Sequence, residues 1–323
     1  MVTRRTLAGV LAAWSAACGD FESPDTVIDM RVLGMTIEPP EVVVDANLDE
    51  VSLADIPDIR ICALVADPAD SRPLSYSMRA CPPQSDLRCR ESRAIADIVT
   101  AQIEDPEEAG APVSMCGTLE PTGDLLLVVM ESVSLDDLAG FGGVGVQIEL
   151  RVDAPGATEF ASKEMRFSPR VPHERVPNTN PTLDGLVGLR EANGQRNRDF
   201  EVPIGRCADI EPFTALAGEK ISLLPAEPDG VREDYVVPTF DGASRGFTEN
   251  LTYSWFATEG SWRTLRTGGR RDLAGNEPRI DGGWTAPRKP DVVGDGIDVP
   301  FWIVQRDERG GLAWYETCAR VIP

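Results

Sequence analysis

Cysteine is the residue type in this sequence that offers the most chemistry. The 323-residue chain contains seven cysteines and a single histidine, His173. A structural zinc site takes four cysteine or histidine ligands, commonly in CxxC pairs, and no such pair occurs. His173 stands between Pro172 and Glu174, a setting more typical of a solvent-exposed linker than of a catalytic base. The cysteines therefore favour disulfides or covalent modification over metal binding.

The first seventeen residues have the layout of a secretory signal peptide. Arg4 and Arg5 form a positively charged start, a short apolar stretch follows, and three small residues end directly before Cys18. The apolar stretch is too short to cross a bilayer as a helix. We therefore expect residues 1–17 to direct export and to be removed, which leaves Cys18 at the start of the mature chain.

In an exported chain, the six other cysteines predict three disulfides. Six cysteines allow fifteen pairings, and the pairing within the first half stays open. If the four cysteines of that half pair among themselves, Cys207 must pair with Cys318. That bridge closes a loop of about 110 residues, for which chain entropy gives roughly 4–5 kcal/mol. The six residues are Cys62, Cys81, Cys89, Cys116, Cys207 and Cys318.

Short alternating apolar segments with turn residues between them predict antiparallel β-strands through most of the first half. Residues 31–45, 58–83 and 143–169 fit this pattern. Residues 92–104 instead place apolar side chains at roughly helical spacing, which predicts a short helix. Residues 123–135 form an apolar run that predicts a buried strand. The glycine-rich residues 140–145 predict a turn, because a strand-like sequence follows them and not a helix that could bind phosphate.

The second half begins after a proline-rich stretch without periodicity. Residues 171–182 contain three prolines, which predicts a semi-rigid linker. The strand pattern then restarts and ends in a hairpin with its turn at residues 307–311. Residues 263–297 are rich in Arg, Gly, Asp and Pro and predict a long loop. Because both halves repeat one order of strands, the sequence indicates tandem copies of one domain.

Four segments carry a resemblance to a known fold family. Residues 31–43, 63–78, 284–287 and 301–311 resemble the strands of immunoglobulin-like or PKD-like sandwich domains. The resemblance implies an all-β fold of two tandem Ig-like antiparallel β-sandwich domains, with the helix as a short insertion in the first. The predicted division is a signal peptide at 1–17, a lipidated tether at 18–30, domain 1 at 31–170, the linker at 171–182 and domain 2 at 183–323.

The small residues before Cys18 resemble the lipobox of bacterial lipoproteins, although Ser15 stands where that family usually has leucine. In that family the cysteine sulfur receives a diacylglyceryl group and becomes the first residue of the mature chain. Gly19 directly after the cysteine implies, by the sorting rule of that family, the outer membrane of a Gram-negative bacterium. Ordinary signal peptidase would also accept these small residues and would leave Cys18 as a free N-terminal thiol.

The net charge limits the partners. The chain carries −22, and removal of Arg4 and Arg5 moves this to −24. An acidic protein of this kind repels nucleic acid and anionic lipid, so neither is expected to bind. The resemblance implies the membrane, through the lipid anchor, as one partner and unidentified envelope or surface proteins as the others.

Acidic loops and tryptophans are candidates for ligand binding. Two groups of loop carboxylates could bind Ca²⁺, but their spacing misses the EF-hand loop and a solvated turn is favoured. Trp255, Trp302 and Trp314 lie on predicted strands and are expected in the core. Trp262 and Trp284 lie nearer to loops and are the candidates for an exposed sugar-binding platform. The carboxylates are Asp229, Glu233 and Asp234 in one group and Asp291, Asp295 and Asp298 in the other.

The sequence predicts no catalytic residue, no metal site, no cofactor and no small-molecule substrate. Neither a GxSxG nor an HExxH motif occurs. The predicted function is therefore a non-enzymatic, lipid-anchored envelope protein that acts as a scaffold, an adhesin or an accessory subunit. The alternatives are a calcium- or carbohydrate-binding adhesion module and a secreted hydrolase with carboxylates in the 263–297 loop.

Overall fold

The computed structural model describes residues 24–45, 47–68, 72–90, 92–103, 113–192, 195–292 and 294–323. Cys18, the predicted signal peptide and the first part of the predicted tether lie outside this range. Among the described residues, no helix combines the length and the apolarity that a bilayer crossing requires.

The first half of the chain forms two facing sheets. Its strands are β1 (Arg31–Glu38), β2 (Glu41–Val44), β3 (Ile59–Ala66), β4 (Leu74–Cys81), β5 (Ala96–Ile103), β6 (Val113–Leu119), β7 (Val144–Ala154) and β8 (Ala157–Pro169). One sheet has the order β1-β3-β6 and the other β2-β8-β7-β4-β5. Among these described strands, β2 and β8 pair in parallel and the other pairings are antiparallel. The apolar side chains of both sheets meet in one core.

The second half forms another pair of sheets around a core of its own. Its strands are β9 (Gly185–Ala192), β10 (Gln195–Val202), β11 (Phe213–Leu216), β12 (Lys220–Ala226), β13 (Asp234–Pro238), β14 (Ser244–Thr248), β15 (Thr252–Ala257), β16 (Ser261–Trp262), β17 (Arg266–Gly268), β18 (Gly282–Thr285), β19 (Ile297–Arg306) and β20 (Leu312–Ile322). The sheet orders are β10-β9-β12-β18-β16 and β11-β20-β19-β15-β17, and β13 pairs with β14 alone.

Both halves follow one immunoglobulin-like strand order. In each half the first strand pairs with a later strand of the same sheet, β1 with β3 and β9 with β12. A short strand between them pairs in parallel with the last strand of the half, β2 with β8 and β11 with β20. Thus β1-β3-β6 corresponds to β9-β12-β18, and β2-β8-β7-β4-β5 corresponds to β11-β20-β19-β15-β17. The predicted all-β fold of two tandem Ig-like antiparallel sandwiches is confirmed. The second sandwich adds β10, β16 and the hairpin β13–β14.

Two predictions for the first sandwich are wrong. The helix predicted over residues 92–104 does not form in its described part, residues 92–103, because Ala96–Ile103 pair with β4 as strand β5. Residues 123–135 are not a strand but the helix α1 (Gly123–Leu135), which joins β6 to β7. Thr122 caps this helix by accepting a hydrogen bond from the Leu125 amide at 3.3 Å. A short apolar run has no clear period, so periodicity alone could not separate these alternatives.

The predicted loop at 263–297 is also partly wrong, because it contains β17 and β18. Strand β18 is buried between β12 and β16. It begins with Gly282, where a Cβ atom would lie only 2.4 Å from the Trp255 ring. Since that packing requires glycine, the strand lacks the apolar pattern by which a buried strand is recognised.

The six cysteines of the described chain form three disulfides, as predicted. Cys62–Cys116 joins the paired strands β3 and β6, and Cys81–Cys89 closes the segment after β4. Cys207–Cys318 ties the segment before β11 to β20 across 111 residues of sequence. The last bridge therefore fastens the segment between β10 and β11 to the final strand of the second sandwich.

Replacing both Cys207 and Cys318 by alanine is expected to lower the free energy of unfolding by up to about 4–5 kcal/mol, because the loop they close is long. The matched control removes Cys81 and Cys89, which are 8 residues apart in sequence. Their shorter loop predicts a loss of about 2.5 kcal/mol. Urea unfolding of both variants measures the difference, and equal losses would contradict the chain-entropy account.

Candidate functional site

The acidic loop residues do not converge on a metal site. Asp298 pairs with Arg320 at 3.0 Å, Glu233 pairs with Arg309 at 3.2 Å, and Asp234 accepts a hydrogen bond from a threonine. Within the part of the chain that the structure describes, no group of three or more His, Cys, Asp or Glu side chains is placed to hold a metal ion. His173 is exposed in the linker.

The candidate exposed platform at Trp262 and Trp284 does not form, because both tryptophans are buried. Trp284 is 1% exposed and meets the Phe301 ring edge-on, with 4.8 Å between the ring centroids. Trp262 packs on Phe301 at 5.6 Å and on Trp255 at 5.3 Å. These rings fill the core between the two sheets of the second sandwich, where Trp255 is also buried, as predicted.

A third apolar cluster joins the two sandwiches. Trp302 alternates with Phe301 along β19, so it points away from the core of the second sandwich. The first sandwich covers this outer face, and Trp302 is 1% exposed. The buried members are Val27, Leu33, Leu64 and Ala66 on one side and Trp302, Val304 and Leu312 on the other, with Phe256 and Trp314 at the rim. We call this set the apolar junction.

The segment before β1 belongs to the apolar junction. The Val27 amide donates to the Ala257 carbonyl at 2.8 Å, and the Ala257 amide donates to the Asp25 carbonyl at 3.0 Å. Val27 and Met30 are buried. Residues 24–30, which the sequence assigns to the tether, are thus packed onto the end of β15.

A group of charged side chains, two of them the buried Glu41 and Glu249, has the half-buried Arg309 at its centre. Arg309 Nη2 lies 2.9 Å from Glu41, and Nη1 lies 3.2 Å from Glu233 and 3.3 Å from Glu249. The turn between β19 and β20 positions this guanidinium, because Asp307 Oδ1 accepts hydrogen bonds from the amides of Arg309 and Gly311 at 2.8 Å. We call Arg309 and its three carboxylates the charge cluster.

Glu41 connects the first sandwich, the linker and the second sandwich. Its carboxylate accepts hydrogen bonds from Ser168 at 2.7 Å, Arg175 at 2.7 Å and the Asn178 amide at 3.0 Å, besides the contact with Arg309. Burial acts to raise the pKa of Glu41. The Ser168 hydrogen bond and the charges of Arg175 and Arg309 outweigh it and hold that pKa below its ordinary value. Glu41 is therefore ionised at neutral pH.

Glu249 has the opposite electrostatic balance. Burial and the neighbouring charge of Asp307 raise the pKa of Glu249 to about 7, although Arg309 opposes the shift. The charge cluster contains three carboxylates and one guanidinium, and Arg175 is already paired with Glu41. Glu249 therefore takes up a proton near neutral pH.

The linker is hydrogen-bonded to both sandwiches. Asn180 donates to the Ile37 carbonyl at 2.8 Å and accepts from the Leu312 amide at 2.9 Å. Two cations also cross the boundary. Lys163 donates to the Gly310 carbonyl at 2.6 Å, and Arg306 donates to the Leu33 carbonyl at 3.2 Å. Burial lowers the pKa of Lys163 to about 8.

A cleft of about 630 Å³ opens between the hairpin β13–β14 and the first sandwich. At its mouth Phe240, from the hairpin tip, stacks on Phe141, from the turn after α1, with 5.7 Å between the ring centroids. Arg166, Arg175 and Arg309 lie among its lining residues together with glutamates. This arrangement suits contact with a polypeptide, since it offers apolar side chains at the rim and paired charges among the lining residues.

Sequence reasoning missed Glu41, Glu249 and Arg309. The turn that carries Arg309 is found where the sequence places it, at residues 307–311. A charged residue in a predicted turn nevertheless looks solvated. Glu249 stands between a threonine and an asparagine, and Glu41 follows Pro39-Pro40, so neither has a local signal of burial.

Comparisons with known proteins add little. No protein-family model matches the chain, and no curated protein matches it. Among solved structures, a red sea bream transglutaminase is similar over 92% of this chain at 9% identity with a TM-score of 0.27, and this chain spans about a third (32%) of that one. A chimeric titin Z1Z2 carrying a decorin-derived peptide is similar over 91% of this chain and 95% of its own, at 8% identity and a TM-score of 0.20. Likeness at this level supports no inference about activity, and the fold assignment stands on the strand order.

Arg309→Ala is expected to lower the free energy of unfolding by about 3–5 kcal/mol, because it leaves the buried Glu249 without a cation and removes one of the two cations that contact Glu41. The control is Arg271→Ala, which removes an ion pair to Glu277 whose two side chains are each 67% exposed. That change should lower stability by less than about 1 kcal/mol. Urea unfolding measures both, and similar losses would show that the charge cluster contributes no more than a surface pair.

Glu249→Gln is expected to make stability less dependent on pH. Because folding raises the pKa of Glu249 from 4.5 to about 7, its stabilising contribution is complete below pH 4.5 and is lost as the pH rises through about 7. The variant, neutral throughout, should therefore melt higher than the wild type at about pH 8, by roughly 2–8 °C, and should match it near pH 4.5. Glu211→Gln, at an exposed position, is the control. A constant Tm difference across this range would contradict the assignment.

Proposed function

We propose that this chain is a non-enzymatic, lipid-anchored protein of the bacterial cell envelope that presents two β-sandwich domains as one rigid body for protein–protein interaction. The observation that carries the proposal is the joint between the sandwiches. Interfaces between domains that are small and polar permit relative motion, whereas this joint combines a buried tryptophan, a buried charge cluster and a hydrogen-bonded linker. A fixed arrangement of two domains favours a scaffold, an adhesin or an accessory subunit of an envelope assembly.

The position of the N-terminal segment supports a role close to the membrane. Residues 24–30 end in the apolar junction, so an anchor at Cys18 attaches to the centre of the two-domain body and not to a distal tip. Six residue steps separate Cys18 from Pro24, and an extended chain covers about 3.3–3.6 Å per residue. The anchor therefore holds the body within about 20 Å of the lipid.

The experiment that tests the anchor is an intact mass measurement on protein extracted from its native membranes without reductant. The expected mass is that of residues 18–323 with a diacylglyceryl group on Cys18 and six further thiols oxidised. The control Cys18→Ser should leave the membrane fraction. An unmodified chain that begins at Cys18 would exclude the anchor and leave a secreted protein.

The interaction part of the proposal has its own test. Cross-linking on whole cells should join the anchored protein to at least one other envelope protein. Rigidity is checked on the same protein by small-angle scattering, which should fit one fixed arrangement of the two sandwiches. Scattering that requires several arrangements would contradict presentation as a single body.

A further inference from the structure

The hairpin β13–β14 is the one two-stranded sheet among the described residues, and its strands pair with no strand of either sandwich. The amide of Thr239 donates to the Ala243 carbonyl at 2.9 Å, and the amide of Glu249 donates to the Glu233 carbonyl at 3.0 Å. In an antiparallel pair, residues whose backbone groups bond to the partner strand alternate with residues whose backbone groups point outward. With the observed register, these two bonds fix which residues of β14 are of each kind. The backbone groups of Ser244, Gly246 and Thr248 must therefore point away from β13.

The outer edge of β14 is unpaired within the described chain. No other described strand pairs with it, and all five of its residues are exposed. Three amides and three carbonyls thus form a row open to another strand. Natural proteins usually protect such an edge with a proline, a bulge or charged side chains. Strand β14 has neither a proline nor a bulge, and its one charged side chain, Arg245, lies over the Phe247 ring at 5.0 Å, whereas β13 ends in Pro238.

The rest of the molecule holds this edge in place. Glu233 and Glu249, at the base of the hairpin, both contact Arg309, and Phe240, at its tip, stacks on Phe141. Between them the rings of Tyr235 and Phe247 stack with 5.5 Å between centroids. A free two-stranded hairpin is marginally stable in water, and a third strand adds stability. The anchoring at both ends therefore prepares the edge for strand addition.

The surroundings of β14 indicate what kind of strand fits. A hollow of about 380 Å³ beside the hairpin is lined by both of its strands and by Glu174 of the linker. Its charged lining residues are Glu174 and Asp234, and its apolar ones include Val236 and Phe247. A Cβ atom on Gly246 would have no atom within 4 Å, so there is space above the centre of β14 for an incoming side chain.

We propose that the edge of β14 binds an extended segment of a partner protein by strand addition, and that the segment alternates basic and apolar side chains. The basic side chains meet Glu174 and Asp234, and the apolar ones pack on the exposed rings of the hairpin. A second copy of this chain fits less well, because two chains of net charge −22 repel each other. The inference rests on the proposed function, since it names the chemistry of the partner.

The test uses fluorescence anisotropy with a labelled peptide of about eight alternating lysine and valine residues. The full mature protein should bind it with a Kd below about 1 mM. Gly246→Pro removes an outward amide from β14 and should weaken binding at least about tenfold. Gly246→Ala keeps that amide, meets no neighbouring atom and should bind like the wild type.

Two altered peptides leave the protein unchanged and guard against misfolding of the proline variant. A peptide with N-methylated backbone amides tests the backbone ladder, and a peptide with glutamate in place of lysine tests the charge. Both should bind at least about tenfold more weakly than the parent peptide. Equal binding of either altered peptide, equal binding to Gly246→Pro and Gly246→Ala, or no binding of the parent peptide would overturn the proposal.

Sedimentation of the protein alone tests whether a second copy of this chain, and not a partner protein, occupies the edge of β14. Self-association that Gly246→Pro abolishes would mean that β14 pairs with a second copy, and this too would overturn the proposal. A negative result in these peptide experiments would not change the results expected for the membrane anchor or for the whole-cell cross-links. Conversely, loss of the anchor or of the cross-links would not change peptide binding by the isolated protein.

Discussion

The contact between Arg309 and Glu41 is the constraint on which the arrangement of the two sandwiches depends. Removing two charges from water is unfavourable, and only good geometry with further hydrogen bonds compensates for it. Glu41 meets this condition, because its carboxylate also accepts from Ser168, Arg175 and the Asn178 amide. These donors come from β8 and from the linker, so the pair can form only when all three parts of the chain lie together. The charge cluster thereby selects one relative orientation.

The apolar junction covers the outer aromatic face of domain 2. Trp302, Phe256 and Trp314 lie on the outer face of the sheet β11-β20-β19-β15-β17, where a single domain would expose them to solvent. Leu33 and Leu64 of the first sandwich cover the centre of this face instead. Burial of the apolar junction attracts the two domains without fixing their orientation. The hydrogen bonds of the charge cluster depend on geometry, so they determine the relative orientation of the domains.

The sequence predicts the fold more completely than the site, for physical reasons. Strand alternation and turn residues are local signals, and they indicated tandem Ig-like sandwiches and the turn at residues 307–311. They failed where a tertiary contact decides the local structure. Gly282 is needed under the Trp255 ring, so β18 resembled a loop. The apolar run 123–135 forms a helix because its side chains pack in the first core from one face, which only the folded chain determines.

The candidate site was harder to predict, because each of its residues has an ordinary local setting. Trp262 and Trp284 lie near loops in sequence, yet a β-sandwich has few positions that accept rings of this size other than its core. Glu41 and Arg309 are 268 residues apart in sequence. Without homologous sequences, no pattern connects two charges over that distance.

The charge cluster also links the joint between the domains to the hairpin that projects from it. Glu233 and Glu249 flank β13 and β14, and both contact the guanidinium that binds Glu41. The hairpin base and the domain joint therefore share one cation. A change in the charge of Glu249 alters the attraction between Arg309 and the base of the hairpin. Glu41 of the first sandwich binds the same guanidinium from the other side. The exposed edge of β14 is thus presented in a fixed direction only as long as the two sandwiches are joined, because the same guanidinium stabilises both.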